Sequence, residues 1–575
     1  MIPIPTGEKE LVPFANELIE VCRVSQGNRA AYYRLLNQIA ETGRPDGTKA
    51  LINMMNAHLE RTSSHLYSPI ELKFACDFDN EYMPEQIKRG QVVAKHLTRH
   101  WERSACDKLF GQGVYEGLKY GAALLKQWPK TEGSIGKERV SYEKRLVMPW
   151  NFGVYRESES DIDNQEALCE TAYLTGPEVW QRIWRLPKAE ALFQRIMAHA
   201  SMGQSTGNGP DSFFHQVLST SQLNTGVQQA TRPLPGGIVQ LGNDPNYPAI
   251  SPTDGAPTVK FHELWVKGED DYQTIQFIEP DILVTRFKLS NLLGIEHTQP
   301  YRLIQPNPMV NWFWGRSELI DLVEPQGFLA MLCDDMKRLI GLQIDKILAF
   351  SGDNTITDEA YAQFRFAGYV NTGQGGKVED LTPKFPSELL PIIKYVQEQI
   401  NTLGSFPDIM QGKGEAGVRA GAHAETLMKT ASPTLRDRAL LVESQVAACA
   451  DLTMTLMEAK EDRKYWTDPK DPEGSGFMLT DLPEDWRITV DSHTSSPIFQ
   501  DEATQLLFAL RKAGDVDGEF LIDHTAVPDK EAAKAALKQR KEAGEKMQKE
   551  LMGQLSPEGK DKAIEKMLGS HPGHH

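Results

Sequence analysis

The sequence predicts an α+β fold that is mainly helical. Three observations lead there. Glu388–Leu403 repeats Leu389, Ile392, Ile393, Val396, Ile400 and Leu403 at helical spacing. Thr434–Lys460 does the same with Leu435, Leu441, Val442, Val446, Cys449, Leu452, Leu456 and Met457. Thr258–Ile278 instead alternates and turns at Gly268–Asp271, the signature of a hairpin.

From the N-terminus, residues 8–62 read as helices, with Tyr32, Leu35, Leu36 and Ile39 on one face and Leu51, Ile52, Met55 and Leu59 on the next. Phe74–Asn80 reads as a short strand. Pro84 opens a helical pattern that runs to about Leu125. Gly111, Gly113, Gly117 and Gly121 loosen its second half, each costing up to about 1 kcal/mol against alanine, and close helix packing is the expected compensation. Arg145–Arg156 reads as strand and turn. Thr175–Glu178 starts a helix. Residues 200–258 are dominated by Ser, Thr, Asn, Gly and Pro and read as a long irregular segment.

Asp281–Phe287 and Tyr301–Gln305 read as further strands. Ser317 is an N-cap candidate for the next helix. Pro325 is expected to start a new turn or kink, and the helix then continues to about Phe350. Phe364–Val370 and Lys377–Leu381 read as strands, and Trp486–Val490 as another. Gln500–Ala513 and Asp529–Leu551 read as helices. No internal repeat is present.

The chain has 575 residues, enough for about four domain-sized units. Hydrophobic residues make up 40% and charged residues 25%, which marks a globular chain. The net charge of −17 argues against tight non-specific DNA binding, which needs Lys and Arg to release counterions from phosphate. Such a chain can still surround DNA without holding it. The six cysteines are scattered with no CxxC pair, so buried free thiols and a reducing compartment are expected. The N-terminal MIPIPTGEKELVPF lacks the pattern of a signal peptide. No apolar run approaches the roughly 18 residues that span a bilayer.

Between the two strong helices lies Phe406–Glu425, FPDIMQGKGEAGVRAGAHAE. It is either a phosphate cradle or a mobile element projecting from a scaffold. Gly412–Gly417 matches GxGxxG, but a dinucleotide site needs a strand before it, and here Phe406-Pro407-Asp408 and a helix precede. Gly373–Lys377 resembles a Walker loop, yet Asn371 takes the place of the first glycine and Val378 that of the magnesium-binding hydroxyl. His96 and His100 stand at i, i+4, but Leu97 replaces the glutamate of a zinc protease, so two polar-face histidines are expected. Asp334 and Asp335 are adjacent on a helix and do not share a face. The hairpin turn accounts for Asp270 and Asp271. No enzyme motif emerges and no cofactor is called for.

The order of features resembles a portal protein, the head-to-tail connector of a tailed double-stranded DNA bacteriophage. GRSELIDLVEPQGFLAMLCDDMKRLIGLQIDKILAF resembles the family's long helix after its β-rich clip. FPDIMQG, AHAETLMK and LRDRALLVESQ resemble the channel-facing loop and the helix that follows it. FGQGVYEGLKYGAALLK with RLVMPWNFGVYRE resembles the wing. VDSHTSS, QDEATQLLFALRKAG and AVPDKEAAKAALKQRKE resemble the C-terminal helical region.

The resemblance implies a portal fold assembled as a ring. The wing would occupy 1–258, the β-rich clip 259–314 and the stem 315–350. More wing, with a channel loop near 404–425, would fill 351–500, and the helical crown 501–575. It implies a twelve-subunit ring around double-stranded DNA at the capsid vertex of the virion, assembled in the host cytoplasm. Implied partners are the terminase large subunit, the major capsid protein and scaffold, and tail or adaptor proteins, with no membrane insertion. The protein would not be an enzyme. Lys413, Glu415, Arg419 and His423 would face the DNA, and Glu269, Asp270, Asp271 and Lys288 would contact terminase or adaptor. The alternatives are another virion connector protein and a nucleotide-binding enzyme built on Gly412–Gly417.

Overall fold

The computed structural model describes residues 2–68, 72–78, 84–132, 139–184, 186–200, 258–268, 271–278, 282–288, 295, 298–344, 348–351, 377–404, 433–467, 475–483 and 485–490, with 510–512, 517–518, 521–522, 534 and 536–540 near the C-terminus. The chain divides into two compact units, Met1–Ser68 with Lys73–Asp491, and Pro69–Leu72 with Ser492–His575. In the second unit, residues 510–512 and 536–540 are helical, within the two helices expected there. All elements named below belong to the first unit, a mixed α and β structure whose sheets stay open among the described residues.

Helix α1 (Glu8–Cys22) turns Leu11, Val12, Ala15, Leu18, Ile19 and Cys22 to one side, the stripe of an amphipathic helix. That stripe covers one face of a five-stranded antiparallel sheet. Its strands are β4 (Phe152–Val154), β5 (Ala167–Thr175), β6 (Thr258–Lys267), β7 (Tyr272–Ile278) and β8 (Ile282–Lys288), in that order. Successive strand residues point to opposite faces. Ala167 and Cys169 of β5 therefore meet α1, while Ala172 and Leu174 meet Val179 and Ile183 of α6 (Gly176–Ile183) and Ile196 of α7 (Ala189–Met197). Thr175 and Glu178 close a reciprocal capping box at the start of α6.

A second sheet, β3 (Arg139–Val147), β2 (Ala123–Glu132) and β9 (Tyr301–Ile304), has β2 at its centre. Lys126 and Trp128 of β2 reach Glu170 and Trp265 of the larger sheet. Gln127 points the other way and donates a 2.6 Å hydrogen bond to Cys449 O of α10 (Pro433–Lys460). Helix α10 is 28 residues long, about 42 Å. Its apolar composition reflects burial, since Leu435, Val442, Val446, Cys449, Leu452, Leu456 and Met457 are sealed within the unit. It packs on β2, β9, α3 (Met55–Leu66) and β12 (Trp486–Val490), which pairs with β1 (Phe74–Phe78).

The single helix expected from Pro84 is two helices. The chain breaks at Ala105, whose φ is 50°, between α4 (Pro84–Arg103) and α5 (Cys106–Tyr120). Residues 123–125 then belong to β2. Gly117 holds the close packing expected of it, because a Cβ there would lie 3.0 Å from Ile304 O.

Pro325 sits in the first turn of α8 (Val323–Ile344), where its missing N–H goes unneeded, so it starts the helix and does not kink it. Gln326 donates to Ile52 O, and Asp334 pairs with Arg44, anchoring the first half of α8 to the residues after α2 (Gln26–Thr42). The helix ends at Ile344, short of the expected Phe350, and β10 (Leu348–Ser351) follows, paired with β11 (Lys377–Asp380). Helix α9 (Leu389–Leu403) then packs back on α8. Residues 364–370, expected as a strand, and the irregular 201–257 lie outside the described residues.

The expected boundary at 258/259 falls inside the larger sheet. Strands β5 and β6 pair from Ala167↔Val266 to Thr175↔Thr258, and β9 pairs with β2. The strands of 259–314 are thus shared with 123–175 and do not form a separate body.

Candidate functional site around Glu318

Two glycine turns fix the backbone of this site. Gly121 ends α5 at φ 99°, and Gly315 stands at φ 64°. A Cβ on Gly121 would lie 2.6 Å from Trp314 O, and one on Gly315 would lie 2.7 Å from Gly121 O. Only glycine tolerates both the sign of φ and the approach. The contact brings Ser317 and Glu318 onto the end of α5. Ser317 Oγ donates to Lys119 O at 2.6 Å, and Glu318 N donates to Leu118 O at 2.8 Å. Carbonyls that a helix end leaves open are thereby satisfied. Ser317 is not the N-cap expected from sequence: the 3-10 turn Ile320–Leu322 is preceded by Leu319 and α8 begins at Val323, while the Ser317 hydroxyl serves the end of α5 and accepts from Leu319 N at 3.1 Å.

The Glu318 side chain is 7% exposed. Its Oε2 accepts from Arg438 Nη1 and Asn307 Nδ2, both at 2.9 Å. Its Oε1 lies 3.4 Å from His58 Nε2. Burial pushes the carboxyl pKa up, but the His58 hydrogen bond, the Arg438 charge and the Asn307 amide outweigh it and hold it at about 2. The group is a carboxylate at neutral pH.

His58 is buried in α3, and its ring lies under Gly404, where a Cβ would stand 2.7 Å from Nδ1. Gly404 N donates to Ile400 O at 3.0 Å and closes α9. Arg438 lies in the second turn of α10. The end of α9 and the start of α10 bound the segment 405–432, and both rest on residues bonded to Glu318. A cleft of about 520 Å3 runs beside them, lined among others by Asn307, Met309, Arg316, Leu403 and Arg438. The arrangement holds chain ends by charge and hydrogen bonds. Among the described residues it pairs no nucleophile with a base.

Lys413, Glu415, Arg419 and His423 lie outside the described residues, as do the Gly412–Gly417 motif, Glu269 and Asp270. Asp271 is buried, and its Oδ1 accepts from Tyr272 N at 2.7 Å, while Gly268 N donates to Asp271 O at 2.9 Å. It is a hairpin-turn residue. Lys288 ends β8 opposite Gln273. Lys377 begins a strand, where a Walker loop would lead into a helix.

His96 and His100 do not lie on a solvated face. Each is half-buried and stands edge-on to a tyrosine, Tyr465 at 5.1 Å and Tyr142 at 5.4 Å. Burial, then Lys144 and His96, bring His100 down to about 4. Among the described residues no group of His, Cys, Asp and Glu is placed to hold a metal. All six cysteines are free, and five are buried.

Glu318, His58, Asn307 and Arg438 were not singled out from sequence. Glu318 lies 260 residues from His58 and 120 from Arg438, and no spacing rule joins them. The one available signal was the turn residue Gly315, two residues before Ser317. No family model matches the chain, and no curated protein matches it.

Proposed function

We propose that the chain is the subunit of a portal ring at the head–tail vertex of a tailed double-stranded DNA bacteriophage. The observation that carries this reading is the helix pair α8 and α9. Beyond Cys333, α8 has no buried residue, and its Ile340 and Ile344 are exposed. Leu390, Ile392 and Tyr395 of α9 are exposed as well. Large apolar side chains left in water on a helix pair suit a contact with another subunit. Repeating subunits that interlock around a closed ring would cover it.

In this reading α8 and α9 form the stem, and the paired strands β10 and β11 between them belong to the clip that meets terminase and later the adaptor or tail. That placement replaces 259–314, whose strands are committed to the two central sheets. The segment 405–432 follows the stem and faces the channel. The acidic chain repels DNA phosphate and lets double-stranded DNA pass in packaging and ejection. The ring of twelve would nucleate capsid assembly with the major capsid protein and scaffold. No catalytic role is assigned, because terminase would supply the ATP hydrolysis.

Negative-stain images of the purified chain test this. A ring with a central hole and near twelve-fold symmetry is expected. A small globular particle would end the reading.

A further inference from the structure

We propose that Glu318 couples the two ends of the 405–432 segment, so that a displacement at the end of α9 is passed to the start of α10 and back. The functional meaning of this coupling rests on the portal reading; the coupling itself does not. Three observations carry it. One carboxylate bonds both His58 and Arg438. His58 is the surface on which Gly404 closes α9. The backbone of Glu318 is fixed independently, through Leu118 O and the Gly121–Gly315 contact.

The hub is therefore anchored to the core, while its two oxygens reach opposite ends of one segment. A charged hydrogen bond is stronger than a neutral one, and a buried carboxylate that loses one partner must draw on the others. If Arg438 leaves, Glu318 is left with His58 and Asn307 and re-aims toward them. The ring of His58 then shifts beneath Gly404. In a portal this would let a contact on one side of the segment, such as passing DNA, reset the helix on the other side. Twelve such couplings would report DNA position to the stem.

Hydrogen–deuterium exchange on the full chain tests this through two variants. Glu318→Gln keeps size and an acceptor for Asn307 but removes the charge. It should speed exchange at Gly404 and at Asp437–Leu441 together, each by about tenfold. Arg438→Gln decides the matter, because Arg438 bonds Glu318 while the atoms nearest Gly404 are those of His58. Coupling requires that Gly404 exchange faster in this variant too. Acceleration confined to α10 would overturn the proposal. Equal acceleration across the β2–β3 ladder would overturn it as well, since Glu318 would then hold the whole unit and not the two ends. Images of the same samples separate the two readings. A small particle with coupled exchange removes the portal and keeps the coupling; a ring with uncoupled exchange does the reverse.

Discussion

Glu170 and Glu263 stand directly opposite each other on β5 and β6, 3% and 2% exposed. Like charges facing across strands repel, so this pair must be neutralised locally. Lys126 lies 2.8 Å from Glu170 Oε2 and also bonds Glu263. Arg145 pairs with Glu170, and the Tyr301 hydroxyl donates to it at 2.7 Å. Trp265 Nε1 donates to Glu263 at 3.0 Å. Lys126, Arg145 and Tyr301 all belong to the three-stranded sheet, so the carboxylates are the point on which that sheet docks.

The shared cation is then the sensitive member. Lys126→Met removes it and keeps the bulk, leaving two buried carboxylates face to face. The expected loss is about 3–5 kcal/mol, the range for breaking a buried ion pair on one side. Urea unfolding followed by tryptophan fluorescence measures it, with Trp128 and Trp265 reporting from the site. Adding Glu263→Gln to Lys126→Met should restore part of the loss. A double variant no more stable than the single one would show that the carboxylates are not the cause.

Acid should undo two sites in the same window. Burial pushes Glu170 up, but Arg145, Lys126 and Tyr301 bring it to about 2, and Glu318 is held at about 2 by His58, Arg438 and Asn307. Both lie below the ordinary glutamate value of 4.5. A depressed folded-state pKa gives stability that is full above the unfolded value and fades as pH falls through the folded one. Wild type should therefore be more stable than Glu318→Gln by a constant margin above about pH 5, the margin should shrink as pH falls from there, and the two should converge only below about pH 2. Thermal midpoints taken along that pH series check it. A margin undiminished at pH 2 would remove the carboxylate charge as its source.

What the sequence made legible was each strong stripe. Helices α9 and α10 and the β6–β7 hairpin follow from periodicity because the burying surface is local to each. The run Ala122–Leu125 misled for a physical reason. It continues the apolar spacing of α5, and a short apolar run fits strand and helix alike; only the left-handed Gly121 separates them. The larger sheet was half legible. Its hairpin was visible, but β4 and β5 join it from across residues 201–257. Neither charged site was legible, because Glu318 and Glu263 meet partners brought in by distant elements.

The glycines of α5 give a graded prediction. Gly117→Ala would place a methyl 3.0 Å from Ile304 O and 2.9 Å from Pro306 Cδ. That overpacking should destabilise by about 1–3 kcal/mol, more than the helix propensity gained. Gly111 meets only Tyr67, at 3.6 Å. Gly111→Ala should be neutral or stabilising by up to about 1 kcal/mol. Chemical denaturation of the two variants side by side measures the difference. Equal effects would mean that helix propensity alone sets the outcome.

The exposed face of the helix pair separates assembly from folding. Ile340 is 45% exposed and Tyr395 59% exposed. A charge at either position meets water in the single chain, so the fold should change by no more than about 0.5 kcal/mol. In a ring the same charge would be buried against a neighbouring subunit without a partner, which is costly. Ile340→Asp and Tyr395→Asp should therefore keep the wild-type far-ultraviolet circular dichroism while sedimentation velocity shows the large species replaced by single chains. If both variants still sediment as the large species, α8 and α9 do not form the subunit contact. The observation that supports the ring would then have to be explained by a different partner on the same face.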